Sequence, residues 1–491
     1  MKNPLADSAS ISPPDVRPSG GDLRSSPRLV IGLLVASAFV MIFNETIMSV
    51  ALPNLMSDLS IGVTTAQWLT SSYLLTMAVV IPTTGFLVQR FPSRAIFLTA
   101  MALFVAGTLL AALAPGFSVL LAGRIVQASG SAMMLPLLMT TILRLIPGER
   151  RGRAMGTISV VIAVAPAIGP TMSGLVLARL GWRWLFWSVL PLAVFALVFG
   201  ALRFHLAPRV RRVPLDVVSV VLSAIGFSGL VYGLSSIGEA ASGGHQVLPP
   251  WSTLGAGTVA LVAFVLRQLR LQRTERAFLN LRPLSYRPFV LAVLLMGLSM
   301  VSLFGSITLL PLYVQNVQGR DTLTTGLLLL PGGLVMGLLA PLVGRLYDRR
   351  GPVPLVVPGA IVLSAALWSF TTLDSASPLW HVVAFHVGMS VGVALMLTPL
   401  ITNALGSLPD GIDSHGSAIV NTLQQVAGAA GTAVFITVMT ANSTAPGGAA
   451  DAPGLHAAFL VAGLLSLAAV AVSLLVRRTS TGGSSARTMI H

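Results

Sequence analysis

Runs of about 20 mostly apolar residues recur along nearly the whole of this 491-residue chain, separated by short basic or Gly/Pro-rich joins. That length, range about 17–25, is what a helix needs to cross a bilayer. In hydrocarbon every backbone N–H and C=O must be satisfied within its own segment, so such runs can only be helices. Fourteen of them can be read, from 29–53 and 67–88 at the start to 415–440 and 455–476 at the end. The fold class that follows is an all-α polytopic membrane protein with 14 transmembrane helices. Charged residues make up only 9% of the chain, against about 25% in soluble proteins. This excludes a soluble enzyme, a disordered chain and a nucleic-acid binder. The net charge of +15 sits in short clusters between apolar runs, as in loops facing the cytoplasm. With no cysteine, neither a disulfide framework nor a thiolate metal site is available.

Residues 1–28 are rich in Ser, Pro and Asp and read as a disordered tail, not a cleaved signal peptide; residues 477–491 form a second tail. The stretches 238–250 and 441–454 are Gly/Ala/Pro-rich loops. Alternate connections, taken with both tails, hold 26 of the lysines and arginines, and the other side holds only Arg179, Arg183 and Arg320. By the positive-inside rule both termini lie in the cytoplasm, which requires an even number of spans. Arg124 remains, inside a span.

A local pattern recurs at the basic side. Residues 85–94 read GFLVQRFPSR, with Gly85 and Arg90, and residues 344–351 read GRLYDRRG, with Gly344, Asp348, Arg349 and Gly351. The glycines permit a tight turn at a helix end, and the acid and arginines can lock neighbouring helix ends. Either copy alone is equally a basic loop with turn residues. Two copies at matched places, their leading glycines 259 residues apart, point to an internal duplication.

With this loop pattern the chain resembles the major facilitator superfamily, and with 14 spans its drug:proton antiporters of the EmrB/QacA type. The resemblance implies six-helix bundles at 29–204 and 288–476 with an inserted pair at 214–269. Three further stretches carry it. NETIMSVALP at 44–53 corresponds to the first-helix signature, with Asn44 in the acid's place and Glu45 one position later. LAGRIVQASG at 121–130 corresponds to the fourth-helix motif, with Ala128 for glycine, and APAIGPTMSG at 165–174 to the fifth-helix antiporter motif. The first loop departs from the pattern at Gln89 and Pro92, which leaves Asp348 as the better lock.

Pro166 and Pro170 remove backbone donors and bend the fifth span, while Gly169 and Gly174 permit close helix contact, as in a hinge. Prolines and small residues are also common in membrane helices generally. An ionisable group in hydrocarbon costs at least ~2.5–3.5 kcal/mol and normally faces a partner in the bundle interior. Glu45 is the one acid deep within a span, and Arg124 lies at nearly the same depth in the outer half. They read either as a structural ion pair or, with Gln127, as proton-coupling machinery. Asn421, Gln424 and Gln425 share one helix face at i, i+3 and i+4; with Asn44 and Tyr73 they are candidates to contact substrate. Gln67 is a further intramembrane amide. Trp68 reads as a membrane-interface residue. His386, in the outer part of its span, is a lesser candidate for proton transfer.

The expectation is a proton-coupled exporter of drugs or other amphipathic or cationic small molecules across the cytoplasmic membrane by alternating access. The alternative is an exporter of one endogenous metabolite, lipid or self-made antibiotic. Substrate, protons and the lipid bilayer are the expected partners, the chain being taken as a monomer. A nucleotide-binding Gly-x-x-x-x-Gly-Lys-Ser/Thr loop is absent, and no cofactor or metal is called for. Clustered ligands or paired carboxylates, which an intramembrane enzyme needs, do not occur.

Overall fold

The computed structural model describes residues 27–146, 164–166, 168–204, 216–241, 249–273, 279–409 and 412–476. In chain order the helices are α1 (Pro27–Thr46), α2 (Met48–Leu59), α3 (Val63–Arg90), α4 (Ser93–Ala112), α5 (Phe117–Leu145), α6 (Val164–Leu177) and α7 (Arg183–Arg203). They continue with α8 (Val217–Ala241), α9 (Pro250–Gln272), α10 (Arg287–Leu312) and α11 (Thr322–Arg350). The last four are α12 (Val353–Phe370), α13 (Leu379–Gly406), α14 (Asp413–Asn442) and α15 (Ala452–Ser473). Among the described residues 13 helices are long and apolar enough to cross a membrane. Of the expected span at 155–179, residues 155–163 lie outside the described residues and α6 is the remainder. The tails at 1–26 and 477–491, and the arginines at 150, 151 and 153, also lie outside them.

The first span is not the single helix that 29–53 led one to expect. It breaks at Ile47 between α1 and α2. Pro53, inside α2, has no N–H and its ring crowds the carbonyl four residues earlier. At the break, the Thr46 hydroxyl donates to the Phe43 carbonyl (3.0 Å) and the Ser49 hydroxyl to the Thr46 carbonyl (3.0 Å). The Phe43 carbonyl also accepts from the Ile47 N–H (3.2 Å), so the Thr46 hydroxyl adds a second bond to it. The break falls immediately after Asn44, Glu45 and Thr46.

Helix starts are fixed by acids where the sequence supplies them. Asp321 caps α11 by accepting from the Thr324 N–H (2.8 Å), and Asp451 caps α15 by accepting from the Gly454 N–H (3.0 Å). At the other end of α11, Gly351 adopts φ +78°, where an L side chain is strained. Past Pro311, α10 closes on a π-helical turn, Tyr313–Val317, carrying that span beyond the expected 313.

In the first half of the chain α4 packs on α5 and α7, and α1 on α5 and α7; in the second, α12 packs on α13 and α15. The two halves meet along α3 and α14, and where α2 lies on α10 and α11. Helices α8 and α9 form a hairpin, closed at its basic end by a bidentate pair: Arg267 donates to both oxygens of Asp216 (2.9 and 2.8 Å). α8 sits on the α3–α14 seam. Gln67 of α3 donates to Ser235 (2.7 Å), and Thr437 of α14 to the Leu234 carbonyl (3.0 Å). Trp68 packs its ring against Tyr232 at 5.7 Å. The residue expected at the membrane interface therefore takes part in a helix–helix contact, because the hairpin covers that flank.

Candidate functional site

Two cavities meet at Glu45. The larger, about 160 Å³, is bounded by α1, α2, α3, α5 and α6 on one side and by α10, α11 and α13 on the other. The smaller, about 110 Å³, lies nearer the end that carries Arg90, Arg94 and Arg345, between α1, α3, α5 and α14. Glu45 lines both. One helical position away, Asn44 lines neither: it is fully buried and both its amide atoms lack hydrogen-bond partners. A step of one residue turns a helix by about 100°, so the two side chains leave α1 in different directions.

Arg124 also reaches the larger cavity, but among the described residues no ion pair within 4.0 Å joins it to Glu45. Its guanidinium is held by neutral groups instead. Nε donates to the Leu69 carbonyl (3.3 Å), Nη1 donates to Gln127 Oε1 (2.8 Å), and the guanidinium carbon lies 4.1 Å from the centre of the Tyr73 ring. Gln127 donates in turn to Thr108 Oγ1 (2.8 Å), and Tyr73 Oη to Ser131 Oγ (2.7 Å). Three helices thereby fix a fully buried cation with an aromatic face and dipoles. Nη2 is left without a partner. The buried ion pair that equal depth suggested is not formed here: Leu69, Gln127 and the Tyr73 ring hold the guanidinium instead.

Asn421, Gln424 and Gln425 all line the smaller cavity, and Gln425 Nε2 lies 3.1 Å from Met77 Sδ across the α3–α14 seam. Tyr73 lines the larger cavity.

The α6 residues converge on the same place. Pro166 and Pro170 line the larger cavity. A Cβ added to Gly169 would stand 2.1 Å from Thr46 Oγ1, and one added to Gly174 would stand 2.3 Å from the Thr322 carbonyl oxygen. Thr171 Oγ1 donates to the Gly326 carbonyl (3.0 Å). Both glycines are therefore at helix crossings, the first against α1 beside Glu45 and the second against α11. With Gln315 Nε2 donating to the Val50 carbonyl (3.2 Å), these contacts seal the two halves together at the end away from the basic loops.

At the basic end Asp348 and Arg349 are exposed, and among the described residues Asp348 makes no ion pair. Gly344 has open space where a Cβ would go. Arg90 lies 5.8 Å from the Phe86 ring centre, and Arg94 Nη2 donates to the Ala201 carbonyl (2.7 Å). The side-chain surroundings of Gly85 lie outside the described residues.

One lesser candidate gains a definite place, and one feature escaped the sequence. His386, buried, lines the larger cavity opposite Arg124. Asp58 accepts from Trp182 Nε1 (2.6 Å) and pairs with Arg183 (3.5 Å), tying the ends of α2 and α7. Neither carries a motif; both depend on tertiary placement.

A sequence profile of the Major Facilitator Superfamily matches residues 34–432. The chain is 40% identical over 456 residues to the Uncharacterized MFS-type transporter YcnB of Bacillus subtilis (strain 168), covering 92% of this chain and 95% of the relative. It is 41% identical over 414 residues to the Lincomycin resistance protein LmrB of the same organism, with 84% and 85% covered. With the Multidrug resistance protein B homolog of Mycobacterium tuberculosis (strain ATCC 25618 / H37Rv) it shares 30% identity over 438 residues, with 87% and 80% covered.

Proposed function

The chain belongs to the Major Facilitator Superfamily and is a multi-pass membrane transporter, not an enzyme; from that premise we propose that it is a proton-coupled exporter of amphipathic or cationic small molecules, lincosamides among them. One observation carries the reading: Glu45, which makes no ion pair among the described residues, stands in the wall shared by two cavities, the smaller of them nearer the basic end. A carboxylate so placed can exchange its proton with one cavity and its counter-charge with the other as the halves rock. Relatives named for lincomycin and multidrug resistance support the substrate class.

In this mechanism the contacts of Gly174, Gly326 and Val50 hold the far end shut. Cationic substrate enters from the basic end, along the amides of Asn421, Gln424 and Gln425, and displaces the proton of Glu45. Arg124, fixed by Tyr73 and Gln127, supplies a positive field that favours the carboxylate once the proton has gone. Rocking opens the far end, where a new proton neutralises Glu45 and releases the substrate. α6, bent at Pro166 and Pro170 and packed through Gly169 and Gly174, is the sliding face. The loops of Gly85 and Arg90, and of Gly344, Asp348, Arg349 and Gly351, close the basic end in the second state. Fourteen spans, two six-helix bundles with α8 and α9 inserted, and both termini in the cytoplasm complete the proposal, as the basic clusters favour. One pH unit supplies ~1.4 kcal/mol per proton, about tenfold export of a monovalent cation exchanged for one proton; for an uncharged substrate the membrane potential adds ~2.3 kcal/mol per charge per 100 mV.

The test is Glu45→Gln in proteoliposomes. Uphill, pH-driven efflux of lincomycin and substrate-induced proton release should both be lost, while downhill exchange continues. Glu45→Asp should keep part of the activity. Full accumulation by the glutamine variant would make Glu45 structural.

A further inference from the structure

All the charge-bearing groups of the larger cavity come from one side. Glu45, Tyr73 and Arg124 belong to α1, α3 and α5; the facing wall contributes no carboxylate, lysine or arginine, and only Thr308, His386 and Ser390 are polar. The Thr308 hydroxyl already donates to the Phe304 carbonyl (2.8 Å). His386 is different. It is 5% exposed, and its Nδ1 has no hydrogen-bond partner.

The ring is held in place by a missing side chain. A Cβ at Gly332 would stand 2.3 Å from His386 Cδ2, 2.5 Å from Nε2 and 2.7 Å from Ser390 Oγ. Only glycine leaves room there, so the Cδ2–Nε2 edge lies against α11. Nδ1 sits on the opposite edge of the ring, turned away from α11. Buried polar atoms in proteins are nearly always satisfied. In a cavity bounded by both halves, the group that arrives to satisfy this one is the substrate.

We infer that His386 Nδ1 is the hydrogen-bond contact by which the second-half wall recognises substrate. The substrate class is a hydroxyl-bearing amphipathic cation, its charge toward Glu45 and its hydroxyl toward His386. His386 also hydrogen-bonds the Leu329 backbone of α11; that bond falls to the Nε2 edge and leaves Nδ1 as an acceptor for a substrate hydroxyl. The inference rests on the exporter reading above and adds what that reading lacks, a reason to discriminate among cations.

Two probes separate the possibilities: lincomycin, which has several hydroxyls and an amine, and tetraphenylphosphonium, a permanent cation without O–H or N–H. Transport of each is measured in proteoliposomes for wild type, His386→Phe, His386→Asn and Gly332→Ala. For His386→Phe the KM for lincomycin should rise about tenfold more than that for tetraphenylphosphonium, as expected for one lost hydrogen bond. Gly332→Ala, which displaces the ring, should give the same bias, and His386→Asn should recover part of it. Equal shifts for both probes, or none, in a variant whose melting temperature matches wild type would overturn the inference and leave the exporter reading intact. Wild-type protein that moves neither probe would overturn the exporter reading and this inference with it.

Discussion

Gly174→Ala puts a number on the sealed end. The added Cβ would lie 2.3 Å from the Thr322 carbonyl oxygen, whereas ordinary contact begins at 3.4 Å, so α6 and α11 must part by about 1.1 Å there. The neighbouring Thr171–Gly326 hydrogen bond, 3.0 Å long, cannot survive that separation within the 3.5 Å limit. Overpacking of this kind costs about 1–3 kcal/mol, and the lost hydrogen bond about 0.5–1.5 kcal/mol. Both penalties fall on the state closed at this end, because the crossing exists only there. A bias of about 1.5–4.5 kcal/mol shifts the equilibrium between access states by roughly 10- to 2,000-fold. The chain holds no cysteine, so Ser49→Cys, in the wall of the larger cavity, gives a single reporter. A membrane-impermeant maleimide applied from the sealed side should label the Gly174→Ala, Ser49→Cys protein at least tenfold faster than Ser49→Cys alone, with reduced export. Unchanged labelling and unchanged export together would refute the assignment of this crossing as a seal.

Arg124→Lys should abolish uphill export at wild-type expression, since an ammonium cannot bond Leu69 and Gln127 and stack on Tyr73 together; initial rates under a fixed proton gradient test this, and a loss under tenfold counts against it. The Asp451 carboxyl is desolvated, yet hydrogen bonds from Gly454 and Thr444 hold it below its ordinary value of 3.8. A carboxyl lowered in this way stabilises the fold fully above that value and ceases to do so as pH falls through the lower one. Asp451→Ala should therefore lower the melting temperature near neutrality, by a capping cost of about 0.5–2 kcal/mol, and the gap from wild type should narrow as the pH falls below 3.8. A gap that does not change with pH would show that the cap acts through packing alone.

The spans were legible because hydrophobic length is a one-dimensional property, and the face of Asn421, Gln424 and Gln425 because helical spacing settles it locally. Facing was not legible where the helix is interrupted. Asn44 and Glu45 are adjacent letters, and only the fold shows that Glu45 meets the cavities and Asn44 does not. The break at Ile47 lies six residues before the proline that signals it. Equal depth brought Glu45 and Arg124 to one cavity, yet depth says nothing of azimuth, and Tyr73 took the guanidinium. The Trp68 contact with Tyr232 and the Gly332 seat for His386 join residues far apart in the chain; no local pattern announces either.

The α8–α9 hairpin has a mechanical consequence. Gln67 from one half and Thr437 from the other both terminate on the same turn of α8, at Ser235 and Leu234. Any motion that shears α3 past α14 must stretch at least one of these bonds, whereas rotation about a line through α8 leaves both nearly unstrained. The hairpin thus works as the pin of a door.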